Sequence, residues 1–392
     1  MKIKIGIIGL GYVGLPLSLE LGKHFNTIGY DTDNNHIKLL KKKIDKNREV
    51  ESKNFTKSKL INFTSHFEDI RDCNFYIVAL PTPVNKNNKP QINNIKKLCI
   101  DLTSILKKND TIIFESSFAP GTIDEILVPI IEKNSKSQFI YNKNFFVGYS
   151  PERINPGTNG KKLQEIVKIV SASNSSTLKK ISHIYSKIIK KGLYKVKSIK
   201  IAEAAKMLEN TQRDVNIAFI NEFSIILDKL NIDPISTFRA AETKWNFHKY
   251  RPGLVGGHCI GVDTNYLIDA CNKINFNPRI LKHSRHINEN MSLFYSNKII
   301  KILKKNNLKS SSLKLLIYGF SFKENCSDIR NTKIYDLYNH LNKKFKVVHV
   351  FDSYVNKKDV IENYKINFKE KLPNNYYNVV IFPVAHDYIK NI

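Results

Sequence analysis

The sequence predicts an α/β protein with a sheet-bearing unit towards each end and a helical middle. Three observations carry this. The chain starts on a short apolar run that enters a Gly-x-Gly-x-x-Gly turn and then a helix-periodic segment. Strand-like and helix-like segments then alternate to about residue 200, as a parallel sheet requires. Beyond a long stretch of helical periodicity, a second strand–helix–strand pattern begins after about residue 310.

Taken in order, Lys4, Ile5, Gly6, Ile7 and Ile8 read as a buried parallel strand. Gly9, Gly11 and Gly14 form the turn, with Tyr12 and Val13 between the last two, and the segment 15–25 reads as a helix. A second strand at 27–30 ends at Asp31, roughly 20 residues past the glycines, where a carboxylate binds both ribose hydroxyls of a dinucleotide. The glycines permit the tight turn and the approach of a pyrophosphate to the helix N-terminus. A carboxylate at Asp31 would repel a 2′-phosphate, so the expected fold is a Rossmann unit and the expected cofactor is NAD rather than NADP. A glycine-rich turn in some other α/β protein is the alternative. The segment 75–80 is a fourth-strand candidate ending at Pro81-Thr82-Pro83. The segment 111–114 leads into Glu115, Ser116 and Ser117, and 145–149 ends at Ser150-Pro151-Glu152-Arg153. Each strand thus finishes in a polar turn, and ligands of such sheets bind beyond the carboxyl ends of the strands. One long helix is expected over 201–230, which contains no Pro or Gly. A strand at 315–319, a helix at 335–341 and a strand at 346–351 make the second, Rossmann-like unit. The expected domains are residues 1–200, 201–305 and 306–392.

Composition bounds the rest. The chain has 392 residues with 42% hydrophobic content, enough for two or three domains with their own cores. No apolar run reaches the roughly 20 residues that span a bilayer, and no leader-like segment precedes the first strand, so a cytoplasmic protein without membrane attachment is expected. The cysteines Cys73, Cys99, Cys259, Cys271 and Cys326 show neither CxxC nor zinc spacing, which suits a reducing compartment and argues against a metal. The net charge is +28, but lysines carry nearly all of it and are spread along the whole chain. A nucleic-acid surface would concentrate arginine with stacking aromatics. No nucleic-acid partner is expected, although the field can draw in anionic substrates.

Two further groups carry chemistry. Cys259 sits in a glycine-rich stretch, Gly253 to Gly261, with Asp263 four positions later. Glycines on the approach let a substrate carbon come close to sulfur, so Cys259 reads as a nucleophile. On the long helix, Lys206 and Asn210 are one turn apart and Arg213 continues their face. Ammonium and amide donors aimed at one point can hold an oxyanion. A solvated helix edge is the alternative reading of the same spacing.

Taken together, Gly9 to Gly14 with Tyr12-Val13, Thr82-Pro83, Ser116-Ser117 with Pro120-Gly121-Thr122, Ser150-Pro151-Glu152, Lys206 to Asn210, Gly256-Gly257-His258-Cys259 and Phe322-Lys323 occur in a fixed order. This order resembles the nucleotide-sugar 6-dehydrogenase family, which includes UDP-glucose and GDP-mannose dehydrogenases, over nearly the whole chain. Ser150 to Arg153, and Lys244 to Phe247 running into 251–263, are most similar to its UDP-N-acetylhexosamine branch, whose products feed capsule and O-antigen polysaccharides. The resemblance implies a C-terminal UDP-binding unit and an NAD-dependent four-electron oxidation of a sugar C6 alcohol through a Cys259 thiohemiacetal and thioester. It gives Glu152 the handling of water or protons and puts the Ser117 hydroxyl near the nicotinamide. Lys206 and Asn210 would stabilise oxyanions, and Asp263 would orient the water or the lysine. Thr82 and Val13 would contact the cofactor and Arg330 its pyrophosphate. Lys323, Tyr250, Arg251 and Gly256 would line the sugar-diphosphate site, with loop capping the alternative for Arg251. His258 either supports the loop or tunes the Cys259 thiolate. A homodimer packed through the long helix is also implied.

Two departures from the family pattern stand out: Thr264 follows Asp263 where this branch commonly has proline, and family members usually continue for roughly another helix and strand. Rival readings are a UDP-glucose 6-dehydrogenase, a one-step hydroxyacid-type dehydrogenase that needs no cysteine, and a nucleotide-sugar-binding regulator without catalysis.

Overall fold

A computed structural model describes residues 2–47, 49–85, 87–136, 138–154, 162–373 and 376–389. The chain divides into two compact units, Met1–Leu208 with Asn265–Ala270, and Glu209–Thr264 with Cys271–Ile392. The division falls inside the long helix rather than at its start.

Unit one begins with β1 (Lys4–Ile8), α1 (Gly14–Leu21), β2 (Asn26–Tyr30), α2 (Asn34–Lys41), α3 (Ser52–Lys57) and β3 (Ile61–Thr64). It continues through β4 (Phe75–Val78), α4 (Asn93–Leu102), β5 (Thr111–Phe114), α5 (Val128–Asn134) and β6 (Phe146–Tyr149). It then adds β7 (Lys168–Ala172), α6 (Ser175–Ser186), β8 (Leu193–Lys195) and the start of α7 (Ile199–Lys229). The eight strands form one sheet in the order β3-β2-β1-β4-β5-β6-β7-β8. β4 and β5 are buried at every position, as a sheet covered on both faces demands. Tyr76, Val78, Ile112 and Phe114 feed the core on one side, while Ile77 and Ile113 feed the other. Alternation along the strand thus sorts residues between two cores rather than between core and water.

Two expectations are adjusted. The sheet is not wholly parallel, because β7 runs antiparallel to β6, with Gly148 opposite Ala172. Parallel pairing needs a crossover helix, and between these strands the described residues hold only a short turn at Leu163–Glu165. α1 also stops at Leu21, four residues early, where Gly22 caps it and donates to the Ser18 carbonyl at 2.8 Å.

Unit two takes the rest of α7, then α8 (Pro234–Ala241), most of α9 (Ile260–Lys273), α10 (Arg279–Lys305) and β9 (Lys314–Tyr318). It ends with α11 (Ile334–Asn342), β10 (Val347–Phe351), α12 (Lys357–Tyr364) and β11 (Val379–Ile381). The three strands pair in parallel in the order β10-β9-β11 over a core of Leu315, Ile317, Leu337, Leu341, Val348 and Val350. The middle holds a second long helix that apolar periodicity did not show. The buried positions of α10 are Ser284, Arg285, Asn288, Met291, Ser292, Ser296 and Leu303, so most of its inner face is polar.

The two sheets reuse one device. After β1, Gly9 takes φ +92° and donates to Tyr30 O at 2.9 Å, while the Leu10 N–H donates to Asp31 Oδ2 at 2.9 Å. After β9, Gly319 takes φ +120° and donates to Phe351 O at 2.7 Å, while the Phe320 and Ser321 N–H groups donate to Asp352 Oδ2. Only glycine adopts such φ values without strain.

Candidate active site

In the first turn each glycine has its own task. A Cβ on Gly14 would lie 1.7 Å from the Gly9 carbonyl oxygen, so α1 packs onto the turn only with glycine there. A Cβ on Gly9 would lie 2.9 Å from Ala79 O, in addition to the positive φ. A Cβ on Gly11 would meet nothing within 4 Å, leaving an open face where a pyrophosphate can approach. Asp31 is fixed beside it: Oδ2 accepts from Leu10 N and Oδ1 from Asp33 N at 3.0 Å. Val13 stands at the N-cap of α1 with Tyr12 before it, half-buried. This donor set fits a dinucleotide: a bare backbone at the helix start for the phosphates and a held carboxylate for the ribose. Thr82, 9% exposed, lies in the turn after β4. In the turn after β5, Ser116 gives its hydroxyl to Leu80 O at 2.6 Å, while Ser117 is half-buried.

Also in unit one, Glu152 follows β6. Its Oε1 accepts from the Arg153 and Ile154 N–H groups, both at 2.5 Å, and its Oε2 is buried with no hydrogen-bond partner among the described residues. The Lys206 ammonium donates to the Glu152 carbonyl at 2.6 Å, so α7 and the turn after β6 are brought together at these two residues. Lys206 is 6% exposed, which rules out a solvated helix edge.

In unit two, α9 begins at Ile260, and Cys259 is its N-cap, solvent-exposed and outside any disulfide. Cys259 therefore ends a bend and begins a helix, so an anion there faces the positive end of a 14-residue helix. Gly257 has φ +83°, and a Cβ on it would lie 2.7 Å from the Phe322 ring. Gly256 packs so that its Cβ would lie 2.7 Å from Asn331 O. These glycines answer to close packing as much as to access. Asp263, 1% exposed in the first turn of α9, accepts from Asn210 Nδ2 at 2.5 Å. Asn210 and Lys206 thus share a helix but hold different partners. Arg213, the third residue on that face, is exposed. His258 is half-buried, and desolvation, then the Arg330 charge, pushes its pKa down to about 4. Its Nε2 has no hydrogen-bond partner among the described residues. The lowered pKa favours the neutral imidazole at physiological pH.

The remaining expected ligand residues of this unit have protein partners. Arg330 holds Asp328 through one edge of its guanidinium, Nε to Oδ1 at 2.8 Å and Nη2 to Oδ2 at 2.7 Å. Arg251 pairs with Glu242, a loop-anchoring contact, and Tyr250 accepts from Asn216 Nδ2 at 3.2 Å beside the Ile220, Leu227 and Phe238 cluster. The Lys323 ammonium lies 5.8 Å from the centroid of the Phe322 ring.

One network escaped sequence reasoning. Asp214 on α7, fully buried, accepts from Arg285 Nη1 and Asn288 Nδ2, each at 2.7 Å. Asn221 joins Asn288 to Gly253 by bonds of 2.8 and 3.0 Å. The Arg285 guanidinium also lies 3.0 Å from where a Gly261 Cβ would be, directly behind the first turn of α9. These partners are some seventy residues apart in sequence, and no spacing rule links them. Among the described residues no cluster of three His, Cys, Asp or Glu side chains is placed to hold a metal, and no helix is long and apolar enough to cross a membrane.

Comparison with known proteins agrees with this geometry. Residues 3–189, 200–290 and 316–392 match, in turn, the NAD-binding, central and UDP-binding domains of the UDP-glucose/GDP-mannose dehydrogenase family. The chain is 42% identical to a UDP-N-acetyl-D-glucosamine 6-dehydrogenase of Salmonella typhi, spanning 100% of this chain and 92% of that one. It is 39% identical, with the same coverage, to the protein CapL of Staphylococcus aureus. Its fold is similar to that of a UDP-D-ManNAc dehydrogenase of Pyrococcus horikoshii, with a TM-score of 0.86 at 23% identity, covering 100% of this chain and 91% of that one. With an NAD-binding turn, a helix-borne lysine and asparagine and a capped cysteine in family order, the chain belongs to the UDP-glucose/GDP-mannose dehydrogenase family.

Proposed function

We propose that this protein oxidises the C6 alcohol of a UDP-N-acetylhexosamine, UDP-N-acetylglucosamine or its galacto epimer, to the uronic acid in capsule or O-antigen synthesis. The observation that carries this is Cys259, an exposed thiol at a helix N-cap within a glycine-built bend, in a chain whose relatives bear such names. A one-step dehydrogenase has no use for it.

The residues present can perform the steps. Gly9, Gly11, Gly14 and Asp31 would hold NAD, aided by Tyr12, Val13, Thr82, Ser117 and Arg330. Bound NAD supplies the hydride-accepting carbon at both oxidations. The C6 hydroxyl proton leaves to a base as the aldehyde forms, and Glu152 is assigned that proton. The Cys259 thiolate then adds to the aldehyde carbon, and loss of a second hydride turns the thiohemiacetal into a thioester. Water, deprotonated by Glu152 and oriented through the Asn210–Asp263 pair, attacks the thioester; the C–S bond breaks and the thiolate returns. Lys206 offsets the negative oxygen at each tetrahedral stage. One alcohol, two NAD and one water give one carboxylate, two NADH and three protons. Tyr250, Arg251, Gly256 and Lys323 are assigned to the sugar diphosphate, which requires Arg251 to exchange Glu242 for a phosphate.

The protein is further proposed to be a cytoplasmic homodimer. Support comes from α7, where Leu208, Phe219, Phe223 and Ile226 lie on one stripe and are all exposed, Leu208 by 68%, with exposed Leu230 directly after the helix. Purified protein incubated with NAD and UDP-N-acetylglucosamine, UDP-N-acetylgalactosamine or UDP-glucose tests the reading. Two NADH per N-acetylhexosamine are expected. Preference for UDP-glucose moves the substrate assignment, and no turnover with any of them overturns the function.

A further inference from the structure

The strand ends of unit one hold a charged cluster for which the steps above have no use. Glu115 follows β5, Lys168 opens β7 and Tyr185 lies on α6. The Glu115 side chain is shut off from solvent; its Oε2 accepts from Lys168 Nζ at 2.6 Å and its Oε1 from the Tyr185 hydroxyl. Lys168, with 4% of its side chain exposed, also donates to Ser150 O at 3.3 Å and lies 5.1 Å from the Tyr185 ring centroid. Its remaining neighbour is Glu152 Oε2, at 3.6 Å. That oxygen is the buried one without a hydrogen-bond partner among the described residues, while Oε1 is saturated by two backbone N–H groups. One ammonium therefore stands between two carboxylates, one sealed in the core and one in the candidate active site.

A sealed lysine–glutamate pair needs no third member, and such pairs are weak devices for stability. A buried carboxylate oxygen with no donor is costly unless a charge faces it. Resting on the reading of Glu152 as the group that handles protons, we propose that Lys168 is a positioning residue: its ammonium is the charge that faces Glu152 Oε2 and holds that oxygen apart from the Oε1 bound by backbone N–H groups. The groups facing Glu152 are Lys168 from β7, Glu115 from β5, Tyr185 from α6 and Lys206 from α7, whose ammonium sits on the Glu152 carbonyl. Burial pushes Glu115 up to about 7 against the pull of Lys168. Burial pulls Lys168 down, but the two carboxylates carry it above its ordinary value.

The test is the pH profile of kcat for NADH formation with the sugar nucleotide that the protein turns over. Lys168→Met should move the acidic limb up by about one pH unit or more, the size of an ion-pair effect on a carboxylate. Lys168→Arg should return the limb to the parent position despite disturbing the packing, and Glu115→Gln should leave it at or below that position. Because Lys168→Met strands Glu115 in the core, Glu115→Gln/Lys168→Met removes both charges and should fold with its limb still raised. Infrared titration of the protonated-carboxyl band in the ligand-free protein should show the same displacement without turnover. A folded double variant with an unmoved limb overturns the proposal. A double variant that does not fold, when Glu115→Gln does, overturns it too by assigning Lys168 to the core alone. Glu152→Gln separates the two levels: if it turns over like the parent, the assignment of Glu152 fails, whereas an inactive Glu152→Gln beside an unmoved limb sinks Lys168 only.

Discussion

Arg285→Met puts the polar heart of unit two to a quantitative test. Arg285 is 6% exposed, and its Nη1 lies 2.7 Å from Asp214 Oδ1, on a side chain with no exposure at all. Removing the guanidinium leaves Asp214 with Asn288 as its remaining close side-chain donor to Oδ1, and breaking such a pair typically costs about 3–5 kcal/mol. Burial already raises the Asp214 pKa, with Arg285 opposing it, so the variant raises it further. A carboxyl whose folded pKa exceeds its unfolded value loses stability as pH rises between the two. The deficit should therefore be larger at pH 8 than at more acid pH, because the raised pKa lets the folded variant hold a proton on Asp214 sooner than the unfolded chain as pH falls. Urea unfolding followed by far-ultraviolet circular dichroism measures it; the single tryptophan, Trp245, is 92% exposed and would report poorly. Asp214→Asn/Arg285→Met should recover more than half of the loss. A deficit below about 1 kcal/mol at pH 8, within the range of a surface pair, would show that the network is not what holds α7 to α10.

Cys259→Ser should lower the yield from two NADH per sugar to one at most, read by end-point absorbance against consumed sugar nucleotide; an unchanged ratio would refute the thioester route. Gly14→Ala should abolish NAD binding in calorimetry, since no rotamer relieves a Cβ 1.7 Å from Gly9 O; retained affinity would mean the turn is looser than it stands here. Asp31→Asn keeps an acceptor for Leu10 N but loses the charge, so NAD should weaken by roughly 1–2 kcal/mol while NADP gains on it; an unchanged NAD/NADP ratio counts against Asp31 as the ribose residue. Glu203 on α7 is fully buried and accepts from Gly121 and Ile123 N–H groups, and burial pushes it up to about 7 from 4.5. Its contribution to stability falls as pH rises from about 4.5 to 7, so Glu203→Gln should flatten the melting temperature over that window, and an equal slope in both proteins would refute this.

What was legible in the sequence was whatever local spacing encodes. The glycine turn, Asp31 at the end of β2 and the unbroken α7 rest on rules of twenty residues or fewer, and all three stand in the structure. α10 was missed because its buried face is mostly Ser, Arg and Asn, so the apolar stripe that marks a packed helix is absent. Cys259 could have been placed at a helix start, since Val262, Tyr266 and Ala270 recur at i, i+4 spacing and Asp263 sits where a first turn favours a carboxylate. The partners of the site side chains were beyond reach. Lys206 meets Glu152 across 54 positions, Asn210 meets Asp263 across 53, and Lys168 meets Glu115 across 53. Such pairs follow from sheet order and helix placement, which no window along the chain contains.

The paired glycine turns use their carboxylates differently. Asp31 receives one backbone N–H on each oxygen and keeps lone pairs in hand. Asp352, with no side-chain exposure, spends Oδ2 on Phe320 N, Ser321 N and the His386 imidazole and Oδ1 on Tyr354 N. The second turn thus repeats the hydrogen bonds of the first with its carboxylate spent on protein donors, and no helix starts there, since α11 begins at Ile334. One loop pattern thus serves two ends, leaving a carboxylate in reserve at Asp31 and locking another into the core at Asp352.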